Sequence, residues 1–447
     1  MKFIAMSALV AGLGGFLFGF DNIVISGAIR FLSEHFHLGP AQTGWAAGCA
    51  LLGCIMGTAC AGVTVDRFGL KRGLSLCAIL FASSSIGVFS SQSFVQFSIW
   101  RIVGGLGIGA ASIISPMYIA EVAPTKHRGQ LVTLYQLGIV VGILSAVVCN
   151  MLVQRSGSDA WNTEYGWRIM FLMGIVPASV FALAIYPSLE SPRWLMKVGR
   201  VEEANANLGR LNSPQEASQE SNAILEALNV EQGSLAELLT TFRRPLLIGL
   251  MLAGLQQISG ITPLFSYLPE IFRAAGAATG SAFQQSSLVC VINLVATLIA
   301  LPLVDRAGRK TLMIAGTAVQ AISFLFVGYL YQSHGSPISI LAFVMLFVAG
   351  HAFGNGVALW VIISEIYPTK VRGRAMSIAT SMLWLVCYLE TQAFPIMQIS
   401  IGPAYTFWLF AGGALMSIVL VVFLVPETKD RSLEEITLFW KGMNTAP

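Results

Sequence analysis

Twelve apolar runs divide this chain, at residues 4–28, 42–65, 73–90, 94–120, 131–153, 167–187, 245–272, 284–304, 312–331, 337–364, 375–398 and 403–425. Most are close to the length of about 20 residues that crosses a bilayer as a helix. Hydrocarbon satisfies no backbone hydrogen bond, so continuous apolar runs of this length fold as helices. Of the 447 residues, 55% are hydrophobic and 11% charged, where a soluble domain carries about 25% charged residues. The fold class is therefore an all-α membrane protein with twelve transmembrane helices. The first run is too long for a signal peptide and holds Asp21, which is out of place in an apolar leader, so it reads as a retained helix.

Charge sets the orientation. With both termini on the cytoplasmic side, all but five of the 26 Lys and Arg fall on that side, the exceptions being Arg30, Arg101, Arg155, Arg168 and Arg273. This is the positive-inside pattern of a multi-pass inner (plasma) membrane protein, and sidedness explains the basic balance without nucleic acid. The seven Cys all lie within apolar runs and read as small apolar residues, with no metal framework.

The chain repeats itself. "TVDRFGLKR" after the second run returns as "LVDRAGRK" after the eighth, and "AEVAPTKHRG" after the fourth returns as "SEIYPTKVRG" after the tenth. Two parallel six-helix halves are a transporter signature, with the substrate site between them near the midplane. The boundaries are an N-terminal bundle at 1–189, a helical cytoplasmic linker domain at 190–244, a C-terminal bundle at 245–426 and a cytoplasmic tail at 427–447. "SPQE" (Ser213 to Glu216) predicts a capping box opening a linker helix, "GSLAELLTTF" a second short helix, and "SLEE" (Ser432 to Glu435) another cap in the tail.

Taken in order, "GFDNIVISGA", "DRFGLKR", "RIVGGLGIG…SPMYIAEVAPTKHRG", "ESPRWL", "QQISGI", "DRAGRK", "SEIYPTKVRGRAMS" and "PETK" resemble the sugar porter branch of the major facilitator superfamily, nearly end to end. The resemblance implies the major facilitator fold and a proton-coupled symporter that imports a monosaccharide (pentose or hexose) or a polyol by alternating access. It is closest to bacterial symporters of the xylose and hexose type. Proton coupling follows in part from Asp21, since facilitative carriers of the family generally have no acid there. A facilitative uniporter is the first alternative and a sugar-sensing receptor the second. No enzyme is expected: "GGLGIG" lies inside the fourth run with no preceding strand, and close helix packing explains it.

A carboxylate within an apolar run costs about 2.5 to 3.5 kcal/mol on insertion scales. Asp21 lies about eight residues before the outer end of its helix and Arg101 about eight after the outer start of its own, so at about 1.5 Å per residue they sit at similar depth. A nearby Arg favours an ionised carboxylate and burial favours a neutral one, so the pair can change protonation as local geometry changes. The resemblance assigns both positions to proton coupling; a permanent structural ion pair is the alternative.

Amides match sugar hydroxyls, and aromatic rings match the C–H face of the ring. Gln256 and Gln257 supply amides where Gly and Pro allow a bent helix. The resemblance adds Phe18, Gln136, Asn293, Trp360 and Trp384, with Thr262 and Tyr267 in the same motif. Interhelical hydrogen bonding and packing are the competing roles. Some positions depart from the family: Thr262 replaces the usual Asn, Ser266 a Tyr, His351 an aromatic residue, and Leu383 an amide, while the usual Pro between Gly356 and Trp360 is missing. Glu390 is a second intramembrane acid, expected with His351 to modify the polar pocket. Asp66, Arg67, Arg72, Glu121 and Arg128 in one half, Asp305, Arg306, Arg309, Glu365 and Arg372 in the other, and Glu190, Arg193 and Glu427 beside them form a candidate cytoplasmic gating network. The implied partners are a small sugar or polyol and the lipid bilayer. The proton is the coupling ion, no cofactor or metal is expected, and the functional unit is a monomer.

Overall fold

The computed structural model describes residues 2–122, 128–229, 235–356, 358–367 and 371–425, without the side chains of 2–5, 128–132, 227, 229, 235, 304–306, 360, 361, 364 and 365. Glu427 and the tail cap at 432–435 lie outside the described residues, as do the side chains of Arg128, Asp305, Arg306, Trp360 and Glu365.

Five helices come first: α1 (Lys2–His35), α2 (Pro40–Phe68), α3 (Leu70–Ser90), α4 (Phe94–Val122) and α5 (Arg128–Arg155). The sixth crossing is assembled from α6 (Asp159–Trp161), a π turn at Asn162–Gly166, α7 (Trp167–Leu172) and α8 (Ile175–Ile185). The linker supplies α9 (Pro192–Lys197), α10 (Val201–Leu211), α11 (Pro214–Asn229) and α12 (Leu235–Thr240). The seventh crossing is α13 (Arg243–Ile258), α14 (Ile261–Ser266) and α15 (Leu268–Ala274), and the eighth and ninth are α16 (Thr279–Ala307) and α17 (Arg309–Gln332). The tenth is α18 (Pro337–Phe353) continued by α19 (Ala358–Ile366), the eleventh α20 (Arg372–Ser400) and the twelfth α21 (Pro403–Leu424). Ten of these crossings are long and apolar enough to span a membrane. The other two are the broken tenth and α20, which is interrupted by Ser, Thr, Glu390 and Gln392.

The capping box forms in the linker. Ser213 Oγ and N both reach Glu216 Oε2, at 2.8 and 3.2 Å, and Glu216 N donates back to Ser213 Oγ at 3.4 Å. Both expected linker helices are present as α11 and α12, and α9 and α10 precede them.

Two compact units emerge. The first holds residues 1–24, 49–149 and 165–231; the second holds 25–48, 150–164 and 232–447. Inside the first, small residues let backbones meet, as membrane helix packing requires. A Cβ on Gly105 of α4 would fall on the Ala50 carbonyl of α2, one on Gly109 on the Cys54 carbonyl, and one on Gly15 of α1 on the Tyr135 carbonyl of α5. The "GGLGIG" run is thus a packing surface. In the second unit Gly316 of α17 faces Gly350 and Gly354 at the end of α18, and a Cβ on Gly354 would lie 3.0 Å from Gly316 Cα. Phe324 stacks on Phe347 at 3.7 Å and meets Phe407 edge-on, joining α17, α18 and α21.

Substituting Gly105→Val forces α2 and α4 apart, and overpacking of this kind costs about 1 to 3 kcal/mol or more. The detergent-solubilised variant should unfold several degrees below wild type in a thermal melt; an unchanged midpoint would show that this contact does not hold the two helices.

Candidate functional site

Each unit contains a buried polar centre. In the first, Arg101 is 1% exposed and Asp21 9%. Arg101 Nη1 donates to Asp21 Oδ2 at 2.9 Å, and Nη2 reaches the Asp21 backbone carbonyl at 3.4 Å. The Phe171 ring lies 5.0 Å from the guanidinium carbon and covers one face of the cation. Gly104, on α4 beside the pair, packs against α3: a Cβ there would lie 2.5 Å from Ser84 Oγ. The guanidinium contacts involve one carboxylate oxygen and a carbonyl, and Arg101 Nε has no acceptor among the described residues. A bidentate lock is therefore not formed, and the cation is held by one carboxylate oxygen, one carbonyl and an aromatic face. Phe18 and Gln136 lie half-buried in this unit, on α1 and α5.

The second centre is built where two helices break. α13 ends at Ile258, Gly260 takes a left-handed conformation (φ +83°), and α14 starts immediately after it. α18 ends at Phe353, followed by a turn at 354–356 and the resumption of helix at Ala358. The tenth crossing thus breaks without the proline whose absence stood out in the sequence. Gly354, at φ −97° and ψ −93°, turns the backbone out of the helix, and it packs closely on α17, where a Cβ on it would lie 3.0 Å from Gly316 Cα.

A break in hydrocarbon frees backbone groups that must be satisfied from within the protein. Gln256 meets this need by donating its Nε2 to the Asn355 carbonyl at 2.9 Å. Polar contacts run outward on both sides: Thr317 Oγ1 donates to Asn355 Oδ1 at 3.2 Å, and Gln257 Nε2 donates to Gln256 Oε1 at 3.2 Å. Thr262 Oγ1 donates to Gln257 Oε1 at 2.7 Å and lies 3.5 Å from Cys387 Sγ. Gln256, Gln257 and Thr262 are therefore brought together. Thr317, Asn355 and Cys387 join them without having been singled out; Asn355 stands between Gly354 and Gly356, and its polarity at that glycine pair was the available signal. Asn293 is buried on α16 and Trp384 on α20, and His351 Nδ1 is buried near the end of α18 with no partner among the described residues. Tyr267 donates its hydroxyl to Thr391 O at 3.1 Å, reaches Thr43 O at 3.5 Å, and stacks on Phe394.

The loop charges are engaged differently from their sequence grouping. Asp66 pairs with Lys197 at 2.7 Å, Glu121 accepts from Ser191, and Glu190 accepts from the Leu70 and Lys71 amides at 3.0 and 3.1 Å, capping α3. Arg67 lies over the Phe68 ring, Arg72 and Arg193 are exposed, Arg309 opens α17, and Arg372 leans on the Tyr367 carbonyl at 3.4 Å. Lys197 and Ser191, on either side of "PRWLM", follow no charge repeat, so the sequence pattern passed over them. Among the described residues, no group of three or more His, Cys, Asp or Glu side chains is placed to hold a metal ion.

A family model described as "Sugar (and other) transporter" matches residues 7–440. The arabinose-proton symporter of Bacillus subtilis is 40% identical over 443 residues, covering 98% of this chain and 96% of the relative. A partially occluded inward-open structure of the xylose transporter XylE from E. coli aligns with TM-score 0.87 at 33% identity, over 97% of this chain and 100% of that one. The proton:xylose symporter XylE bound to 6-bromo-6-deoxy-D-glucose aligns with TM-score 0.82 at 34% identity, over 98% and 99% of the two chains.

Removing one partner of a buried ion pair strands the other charge, at a cost of about 3 to 5 kcal/mol. Arg101→Ala should therefore destabilise the protein more than Asp21→Asn does, and the double variant should recover part of the loss in a double-mutant cycle of thermal unfolding. Additive effects would show that the two groups do not interact.

Proposed function

Because this chain belongs to the sugar transporter family, we propose that it is a proton-coupled symporter importing a monosaccharide, a pentose or a hexose, or a polyol across a bacterial inner membrane by alternating access. The observation that carries the coupling is the buried contact of Asp21 with Arg101, made through one carboxylate oxygen and one backbone carbonyl. Ionised Asp21 holds Arg101, and with it α1 against α4. A proton taken from the outer side neutralises the carboxylate and loosens that hold. The two protonation states then favour different arrangements of the helices, which is what a coupling ion must do to bias a conformational equilibrium.

The substrate follows from the chemistry of the second centre. Gln257 already accepts from Thr262, and an amide carries two donors and two acceptor positions, so it retains capacity for a hydroxyl that both donates and accepts. Gln256, by contrast, spends its Nε2 on the helix break, which makes it as much a structural brace as a ligand group. Trp384 and Tyr267 bring aromatic surface to the same unit. Phe18 and Gln136 complete the reading from the N-terminal half, and Trp360 and Asn293 from the C-terminal half. Relatives named for arabinose and xylose favour a pentose over a polyol. Both termini are placed in the cytoplasm by the distribution of Lys and Arg. The contacts of Asp66, Glu121 and Glu190 with the linker and its flanks act as a cytoplasmic lock within the first unit. The monomer is the functional unit, and no cofactor other than the coupling proton takes part.

The test is uptake into proteoliposomes. Wild type should accumulate labelled arabinose or D-xylose against its gradient when the outside is acidic, with alkalinisation of the external medium during uptake, and should lose accumulation as the external pH is raised. Asp21→Asn should abolish accumulation while sparing exchange of internal for external sugar. Equilibration without proton movement in the wild type would make the protein a uniporter. A thermal-shift panel of pentoses, hexoses and inositols should identify the substrate, since a ligand at 100 times its Kd stabilises by about 2.7 kcal/mol.

A further inference from the structure

Two charged features lie outside both polar centres. One is Glu390 on α20, with both carboxylate oxygens buried and no hydrogen-bond partner among the described residues. The other is open to solution: a cavity of about 370 Å³ in the first unit, lined by the start of α3, the segment 188–190 and helix α10. Lys71, Arg72, Arg200 and Arg210 line it against two carboxylates, Glu190 and Glu203, and four cations less two anions leave an excess of two positive charges.

Neither carboxylate is available to offset that excess. Glu190 Oε1 accepts from the backbone amides of Leu70, Lys71 and Ser191 at 3.0, 3.1 and 2.9 Å, which commits it to the start of α3, where the helix dipole is itself positive. Glu203 is held by Arg200. Lys71 turns its Nζ to two carbonyls, Tyr186 O and Ser188 O, both at 2.8 Å, so its position is fixed while its charge meets no carboxylate. Asn207 donates Nδ2 to the Glu190 carbonyl at 3.0 Å and fastens α10 to the same segment. Arg72 is exposed and makes no hydrogen bond or ion pair among the described residues. The walls are thus held in place, and an uncommitted guanidinium stands among them.

Arginine forks pair with phosphate oxygens two at a time, and a phosphate monoester carries about 1.5 to 2 negative charges at neutral pH, which matches the excess in the cavity. We propose that this cavity binds a phosphate ester, which bridges Arg72 on α3 to the cations of α10 and so ties the linker to the first bundle. The site is separate from both polar centres and does not depend on what the protein transports. Two sources of phosphate reach it. Arg72 and Ser75 begin a face of α3 that continues at helical spacing through Leu76 and Ile79, 44% and 62% exposed, so a lipid lying along that face would bring its headgroup to the cavity. Arg200 and Arg210, on the linker side, are open to a soluble phosphate monoester.

The test is thermal unfolding of the purified protein in dodecyl maltoside at an ionic strength held constant with chloride. One arm titrates glucose 6-phosphate against glucose as control; the other titrates dihexanoylphosphatidylglycerol against dihexanoylglycerol, which has the tails without the phosphate. The midpoint should rise saturably by a few degrees in at least one arm and not in its control, because a ligand of the folded state raises apparent stability with occupancy. Arg72→Gln should weaken half-saturation by about tenfold or more, as loss of a charged hydrogen bond does, and Arg72→Glu should abolish the rise. Removing Arg72 strands no partner, so both variants should melt near the wild-type midpoint without ligand. A response to glucose 6-phosphate alone assigns the site to a soluble monoester, and one to the lipid alone assigns it to a headgroup; either supports the proposal. No rise beyond the controls in both arms overturns it, as does an unchanged half-saturation in Arg72→Gln.

Discussion

Hydrocarbon neither donates nor accepts hydrogen bonds, and this one property of the solvent governs where the protein places its polar groups. Arg101 is 1% exposed and would be untenable alone; it exists with Asp21 at 2.9 Å and Phe171 against its face. The broken tenth crossing is tolerated because Gln256 reaches the Asn355 carbonyl. These partners reside on other helices, so α1 is tied to α4 within the first unit, and α13 to the end of α18 within the second, through groups that cannot be left unanswered.

The two units meet that demand with different chemistry. The first uses a charged pair, Asp21 with Arg101. The second uses neutral amides and hydroxyls that bond one another and the backbone at a helix break. Small residues make both arrangements possible. Glycine on α1, α2, α4, α17 and α18 brings backbones into contact, leaving short, well-defined spaces in which a single side chain from the neighbouring helix can reach a buried group. The ionic centre and the neutral polar centre thus fall in different units.

Much of the candidate site was legible in the chain. Asp21 and Arg101 are conspicuous as charges in apolar runs, and counting turns from the helix ends places them at one depth. Gln256 and Gln257 stand out as adjacent amides beside Gly and Pro. The helix break at Gly354 was harder to foresee, because the proline that usually signals one is absent; the break falls where Gly354 packs against Gly316 on another helix. Lys197 as the partner of Asp66 was also hidden, since Arg67 and Arg72 are nearer in sequence but emerge from the helix end in other directions. Asn355 was overlooked because an isolated amide carries no periodic signal.

Helix number, membrane character and the bias of positive charge are determined by the sequence alone. Each is a sum of local transfer free energies along the chain, and such sums do not depend on which helices become neighbours. Partner choice is different. Whether Gln256 binds sugar or braces a helix, whether a turn opens at Gly354, and whether Glu390 finds a donor all depend on the rotation and separation of helices far apart in sequence. Those quantities are set by contacts such as Gly316 on Gly354 and Tyr267 on Thr391, and only the tertiary structure decides them.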